Sequence, residues 1–199
     1  MKQYEVSFEI AGPFAMFARP DTGATPVSYP VSTWSAAKGM FEAVAPFKHA
    51  YIRPTHVEIC SPIRYERYVT NYRGPLRQSG KENYQLIATI LADVCYRIHG
   101  VVEPLNGNYG QAHALQEIFQ RRLKQGRLYY TPCLGWKEFA PTYFGELREQ
   151  TKPEASINLT IPSLLRSVFD SDVRGKVRPE FFQNVAIEKG VMSFMSGKE

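Results

Sequence analysis

The first strand of the chain is predicted by alternating apolar and polar positions in residues 4–10. Tyr4, Val6, Phe8 and Ile10 are separated by polar residues, and this period of two is typical of a strand with one buried face. The following stretch, residues 11–32, is rich in glycine and proline and predicts a long surface loop.

Two helices are predicted by apolar residues at helical spacing. The first covers residues 33–45, with Thr33 or Ser35 as its N-cap, and it ends before Pro46. The second covers residues 108–126, and its core-facing stripe consists of Leu115, Ile118, Phe119 and Leu123.

Further alternating segments predict three more strands, at residues 55–68, 93–99 and 129–141. The resulting order, β-α-β-β-α-β, predicts an α+β protein with a ferredoxin-like fold, the scaffold that RRM modules also use. We expect this domain at residues 1–140 and a small β-rich C-terminal domain at residues 141–199.

Composition narrows the class of protein without identifying a partner. With 199 residues, 44% hydrophobic and 22% charged, the chain has the make-up of a globular protein, and its net charge of +5 favours polyanionic partners. The three cysteines are scattered and form no disulfide or zinc pattern. The sequence shows neither a targeting segment nor an apolar run long enough for a membrane span, so we expect a cytoplasmic protein without membrane contact.

A basic segment interleaved with tyrosines, residues 64–81, is the first candidate for nucleic-acid binding. Cations neutralise phosphates, and flat rings stack on unpaired bases. A solvated basic loop whose tyrosines pack on the protein body explains the composition equally well. The candidate RNA contacts here are Arg64, Arg67, Tyr72, Arg73 and Arg77.

The end of the second helix is also basic. Cations in a last helical turn complement the helix dipole, and that structural explanation competes with an RNA-binding one. The candidates are Arg121, Arg122, Lys124 and Arg127.

His113 is the candidate catalytic group. Helical geometry places it about 160° from Leu115, by about 100° per residue, and therefore on the polar face of the second helix. An imidazole can exchange protons with a ribose 2′-hydroxyl or a leaving 5′-oxygen, which is what metal-free RNA cleavage requires. An exposed solitary histidine is, however, more often without function.

Other catalytic chemistries lack their signatures. The remaining histidines, His49, His56 and His99, are widely spaced and give no metal-ligand pattern. Phosphate-binding loops, dinucleotide fingerprints and nucleophile elbows are absent from the sequence, so we predict no metal site and no cofactor.

Three ordered motifs resemble the fifth family of CRISPR-associated (Cas) proteins, subtype I-C. They are the opening stretch from "FEIAGPF" to "GMFEAV", the segment "CLGWKEFAP", and the closing "FFQNVAIEKGVMSF". The resemblance implies a subunit of the RAMP superfamily that belongs to the Cascade interference complex and grips the 5′ repeat-derived handle of the guide RNA. Its partners would be the backbone and large Cascade subunits, with target DNA as a further candidate.

The resemblance also implies a metal-independent endoribonuclease that uses a tyrosine after the first helix and an adjacent Lys-His pair. His113 matches the family histidine, but Ala112 stands at the lysine position, and the tyrosine position falls on Ala45 or Pro46. The sequence offers these side chains as candidate substitutes: Tyr51, Tyr109, Lys48 and Lys124.

Three functional hypotheses follow. The first is a guide-RNA binding subunit, to which these further contacts are assigned: Arg19, Tyr29, Lys38 and Lys137. The second is an active endoribonuclease with His113 as general acid or base. The third is an RRM-like RNA binder unrelated to defence, because a fold does not fix a function.

Overall fold

The computed structural model describes residues 3–72, 84–105, 107, 109–169 and 177–194. Its elements, in chain order, are β1 (Glu5–Ala15), α1 (Trp34–Val44), β2 (Ala50–Ile59), β3 (Arg64–Tyr72), β4 (Tyr84–Pro104), α2 (Tyr109–Lys124), β5 (Tyr143–Gly145), β6 (Leu159–Ser167), β7 (Glu180–Glu188) and β8 (Val191–Ser193). The chain is thus a mixed α/β protein.

The strands form one antiparallel sheet in the order β5-β1-β4-β2-β8-β7-β6, with β3 paired to β4 beside this path. The long β4 organises the sheet. One edge of β4 pairs with β1, while the other edge pairs first with β3 and then with β2. The change of partner occurs near Asp93, whose φ of 50° interrupts the extended backbone.

The helices pack on one face of this sheet because the apolar residues of β1 point toward them. Phe8 lies edge-on to Phe41 of α1 at 4.9 Å between ring centroids, and Phe41 contacts Phe119 of α2 at 5.6 Å. All three rings are fully buried. Each buried phenylalanine contributes about 1.5–3 kcal/mol, so this cluster fixes both helices on the sheet.

A buried carboxylate on the opposite face holds the segment that follows β5. Glu9 is fully buried, and it accepts hydrogen bonds from the main-chain N–H of Arg148 at 2.9 Å, from Arg148 Nε at 2.7 Å and from Thr151 Oγ1 at 3.0 Å. Burial raises the pKa of the Glu9 carboxyl, but the hydrogen bonds from Arg148 and Thr151 outweigh burial and leave the pKa below its ordinary value. Glu9 therefore stays ionised at neutral pH.

The prediction of a strand at residues 129–141 is wrong. This segment contains turns, and the strand that pairs with β1 is the later β5. Leu134 and Phe139 are buried without a strand ladder, and Gly135 between them has φ +89° and lies against the main chain of Met16. Leu134 and Phe139 pack against β1 from a turn, and their spacing along the sequence resembles the alternation of a strand.

The prediction of a single strand at residues 55–68 also needs correction. The chain leaves β2 after Ile59 and starts β3 at Arg64, so Pro62 lies between two strands. The basic segment that begins at Arg64 is therefore a strand rather than a loop as far as Tyr72.

The C-terminal strands continue the main sheet, because β8 hydrogen-bonds to β2 on one side and to β7 on the other. The boundary at residue 140 stays a prediction. Neither helix in the described part of the chain is long and apolar enough to cross a lipid bilayer.

Candidate nucleic-acid interface

An open groove of about 860 Å³ lies beside the polar face of α2. Its walls come from α2, the first half of β1, and the paired ends of β2 and β4. The basic residues that line it are Arg53, Arg121 and Lys124. The side-chain amide of Gln116 donates to the main-chain carbonyl of Glu5 at 2.8 Å and so ties α2 to β1.

The cations of the groove differ in how far they are neutralised. Arg53 Nε lies 2.5 Å from Glu103 Oε1, and the Tyr51 hydroxyl donates to the other oxygen of Glu103 at 2.6 Å. Arg121 and Lys124 are exposed, and neither forms an ion pair with a carboxylate among the residues that the structure describes. These two charges are therefore available to a phosphate, although Glu5, Glu117 and Glu146 also line the groove.

A second concave surface, of about 650 Å³, adjoins the end of α2 and shares Arg121 with the groove. Arg122 Nη1 donates to the carbonyl of Val44 at 2.9 Å, which joins the ends of the two helices. Arg127 is exposed at this surface, and the ring of Tyr129 is 67% exposed. We call Arg121, Lys124, Arg127 and Tyr129 the helix-end patch.

Tyr129 was missed as a site residue because its segment was assigned to a strand. Its main-chain N–H donates to the carbonyl of Ala43 at 2.7 Å, which holds the residue against the end of α1 while its ring faces solvent. Tyr130, 45% exposed, donates its hydroxyl to the carbonyl of Gly39 at 3.0 Å. An adjacent Tyr-Tyr pair after a basic helix end was the available signal.

His113 lies on the outward face of α2, as the helical pattern predicts. Its side chain is 49% exposed, and its Nε2 lies 3.4 Å from Glu117 Oε1. The ring of Tyr4 is 5.5 Å away between centroids. A carboxylate one turn along the helix can orient an imidazole, which suits general acid–base chemistry.

The positions at which the resemblance implies a lysine and a tyrosine carry neither side chain here. Ala112 is fully buried in the core and Ala45 is nearly so, while Pro46 is exposed. Among the candidate substitutes, Tyr51 is engaged by Glu103, whereas Tyr109 and Lys48 are exposed.

The β3 candidates form a different surface. Arg64 is 61% exposed and pairs with Asp93 at 2.5 Å, and Arg67 is exposed on the same strand. Tyr65 is 45% exposed and lines an apolar groove of about 760 Å³ together with Phe181. This strand pairs with residues 84–92 of β4, whereas α2 is tied to Glu5, which pairs with the opposite end of β4.

The side chains of three candidates in the basic tyrosine segment lie outside the part of the chain that the structure describes. Tyr72 ends β3, and its side chain lies outside the described residues, as do Arg73 and Arg77 entirely.

The remaining predicted contacts lie apart from α2. Arg19 forms an ion pair with Asp21 at 2.7 Å and lies over Tyr29, 5.9 Å from the ring centroid. Tyr29 is 3% exposed, and its hydroxyl accepts a hydrogen bond from the Leu165 main-chain N–H, so this ring has no free face for a base.

Lys38 and Lys137 differ in their surroundings. Lys38 is 21% exposed, lies 3.9 Å from Glu42, and is held over the rings of Trp34 and Tyr51. Lys137 is exposed, in the turn segment that precedes Phe139. The structure thus brings together the cations of α2 and leaves those of the other segments separate from them.

Three metal-ligating side chains, His56, Glu58 and His99, meet where β2 pairs with β4. Their separation along the chain hid them from spacing rules, because strand register alone brings His99 opposite His56.

Sequence and structure comparisons both point to one family. The profile of a family described as "CRISPR-associated protein (Cas_Cas5)" matches residues 6–169. A protein named "CRISPR pre-crRNA endoribonuclease Cas5d" from Thermus thermophilus is 31% identical over 170 residues, which cover 79% of this chain and 70% of the relative.

Solved structures agree in fold. A structure described as a CRISPR-associated protein superposes with a TM-score of 0.73 at 18% identity, covering 96% of this chain and 92% of the other. A chain of a structure described as a CRISPR RNA-guided surveillance complex gives a TM-score of 0.57 at 14% identity, covering 94% and 91%. With a profile match over most of its length and a relative above 30% identity, the chain belongs to the Cas5 family of CRISPR-associated proteins, subtype I-C.

Proposed function

We propose that this chain is a Cascade subunit that binds the 5′ repeat-derived handle of the CRISPR guide RNA through the helix-end patch. The observation that carries the proposal is the placement of two exposed cations, Arg121 and Lys124, which form no ion pair with the described carboxylates, on a groove that shares Arg121 with the surface carrying the exposed Tyr129 ring. Membership of the Cas5 family supplies the class of ligand.

The chemistry of the patch suits a single-stranded RNA end. Arg121, Lys124 and Arg127 can neutralise up to three phosphates, and each neutralised phosphate of a single strand makes the negative slope of log K against log salt steeper by about 0.7. The Tyr129 ring can stack on an unpaired base, an interaction worth about 1–3 kcal/mol. The patch is thus able to hold both the backbone and a base of the same strand.

The test measures the affinity of the full chain for its cognate repeat RNA over a salt series. Replacing Arg121 and Lys124 together by Gln should reduce the salt slope by about 1.4, since two phosphate contacts are lost. Lys189→Gln is the matched control, because it removes one exposed lysine in the β7–β8 turn, outside the groove lining. An unchanged slope in the double variant, or an equal change in the control, would refute the proposed site.

The secondary candidate function is metal-independent cleavage of precursor CRISPR RNA, with His113 as general acid or base. It is supported by the exposed His113 with its adjacent Glu117 carboxylate, and by the relative named as an endoribonuclease. The cation that would support the developing phosphorane charge is absent at position 112, so we expect slow cleavage.

A cleavage assay in EDTA separates the two functions. If the second holds, the repeat hairpin is cut, and both His113→Ala and a 2′-deoxy substitution at the scissile nucleotide stop the reaction while RNA affinity stays unchanged. Intact RNA at full affinity contradicts cleavage and leaves the binding proposal standing.

Further parts of the proposal concern architecture and partners. We propose that β1, α1, β2, β4, α2 and β5 form a ferredoxin-like unit in which β3 is an additional strand between β2 and β4 along the chain. Because β5 ends at Gly145, this unit extends slightly past the predicted boundary at residue 140, and the strands after it form a small C-terminal domain whose β8 joins the same sheet. We also propose contacts with the backbone and large Cascade subunits in the cytoplasm, supported by the fold shared with a chain of a surveillance complex. Co-purification with those subunits and the guide RNA tests these contacts, and contact with target DNA is a further candidate.

A further inference from the structure

Two histidines and a glutamate face one another on the sheet surface opposite the Phe8–Phe41 core. His56 and Glu58 are two residues apart on β2 and share a face, and the register of β4 places His99 directly opposite His56. The ligand atoms of the three side chains all lie within 4.8 Å of one another. We propose that His56, Glu58 and His99 form a binding site for a divalent transition-metal ion such as Zn²⁺; its ligands differ from the proposed RNA contacts, although His56 and His99 line the same groove as Arg121 and Lys124.

The spacing fits the dimensions of such a site. Zn²⁺ binds imidazole nitrogen and carboxylate oxygen at about 2.0–2.2 Å, so two ligand atoms at a tetrahedral angle are roughly 3.3–3.6 Å apart. Glu58 Oε1 and His99 Nε2 are 3.4 Å apart. The imidazole rings of His56 and His99 are stacked, parallel within 7° and with centroids 4.1 Å apart, so the His56 ring would have to turn for its nitrogen to point at the same ion as His99 Nε2.

The hydrogen-bonding capacity of one ligand atom, His99 Nε2, is not fully used. His99 Nε2 is buried and makes no hydrogen bond to any described residue, although Glu58 Oε1 is close. An imidazole nitrogen shielded from solvent and 3.4 Å from a carboxylate oxygen is only weakly satisfied, and a metal ion held by both atoms would satisfy it better.

Neighbouring groups orient the ligands. Thr55 Oγ1 lies 3.1 Å from His56 Nδ1, and the tautomer that donates to this hydroxyl leaves Nε2 with a free lone pair. Arg97 Nη1 donates to Glu58 Oε2 at 3.5 Å, which leaves Oε1 directed toward His99. Such outer contacts are typical of metal sites.

The cluster also has room for an exchangeable ligand. His56 and His99 both line the groove beside α2, so the cluster borders solvent although His99 Nε2 itself is shielded. Three protein ligands leave the fourth tetrahedral position for a water molecule. Mg²⁺ prefers oxygen ligands in octahedral geometry, so the site should discriminate against it.

The experiment is a calorimetric titration of the full, tag-free chain with ZnCl₂ and, separately, with MgCl₂. We expect one equivalent of Zn²⁺ and no Mg²⁺ to bind. His99→Asn and Glu58→Gln should each weaken Zn²⁺ binding at least tenfold, with circular dichroism confirming that both variants fold. His49→Asn, which replaces an exposed histidine outside the cluster, should bind as the unaltered chain does.

Cobalt spectroscopy on the unaltered chain tests the ligand set without a variant. Co²⁺ bound by nitrogen and oxygen gives tetrahedral visible bands without the near-ultraviolet charge-transfer band of a thiolate ligand. A thiolate band would assign the ion to the nearby Cys60 and Cys95 and overturn the proposal. Absence of Zn²⁺ binding, or equal binding by His99→Asn, would overturn it as well.

Discussion

Removal of the buried Glu9 carboxylate should destabilise the fold more than any surface charge change. The change is Glu9→Ala, which leaves the Arg148 guanidinium and the Thr151 hydroxyl without their shared acceptor. Breaking a buried ion pair costs about 3–5 kcal/mol when one partner is removed. The Arg148 side chain is 34% exposed and can regain water, so we expect the lower end, about 3 kcal/mol.

The assay is thermal and urea unfolding followed by circular dichroism. For a chain of this length, 1 kcal/mol corresponds to about 2–4 °C in Tm, so Glu9→Ala should lower Tm by about 6–12 °C. Glu9→Gln retains an acceptor of the same shape and should lose less. Glu5→Gln, at an exposed position on the same strand, is the control and should leave Tm unchanged. A Tm loss below about 2 °C in Glu9→Ala would refute the energetic role assigned to this carboxylate.

The pH dependence provides an independent check. Because the pKa of Glu9 is lowered in the folded state, its stabilisation is complete above the pKa of the unfolded state and is lost as pH falls through the folded-state pKa. The difference in unfolding free energy between the unaltered chain and Glu9→Gln should therefore shrink between about pH 5 and about pH 2. A difference that stays constant over that range would mean that the charge of Glu9 contributes nothing.

Three further predictions concern α2, the patch and a turn. Ala112→Lys should lower the free energy of unfolding by at least about 2 kcal/mol, because an ammonium would enter the core, and faster RNA cleavage by a stable variant would contradict this. Tyr129→Ala should weaken binding of repeat RNA by about 1–3 kcal/mol in a fluorescence titration, while Tyr129→Phe should bind normally; equal losses would exclude stacking. Gly135→Ala should lower the free energy of unfolding, measured with urea, by more than about 1–3 kcal/mol, because φ is +89° and the new Cβ would lie 1.8 Å from Met16 O. An unchanged urea midpoint would show that this turn relaxes freely.

The sequence was sufficient to predict features that depend on the residue pattern of a single helix. The N-cap of α1 is Thr33, whose hydroxyl accepts from the Ala36 main-chain N–H, as the sequence suggested. The predicted stripe of α2 is buried or packed against the core. The outward position of His113 followed from the same helical period.

Features set by distant parts of the chain were not predictable in this way. The full length of β4 depends on three partner strands, and its first half lacks a strict alternation. The turn around Gly135 resembled a strand in sequence because its apolar residues pack beside Met16 instead of pairing in a strand ladder.

The candidate site shows the same division. The cations of α2 were predicted together because a single helix carries them, and the structure keeps them together. Tyr129 and the His56–His99 pair depend on a turn after α2 and on strand register, which spacing rules do not capture.

The position of β8 has a consequence for the order in which the molecule forms during synthesis. This strand lies between β2 and β7, so the middle of the sheet is filled by a segment that leaves the ribosome long after the strand beside it. Until residue 193 has emerged, the free edge of β2 is an unpaired template, and such edges promote association between nascent chains. Folding should therefore be slow and sensitive to truncation near residue 190.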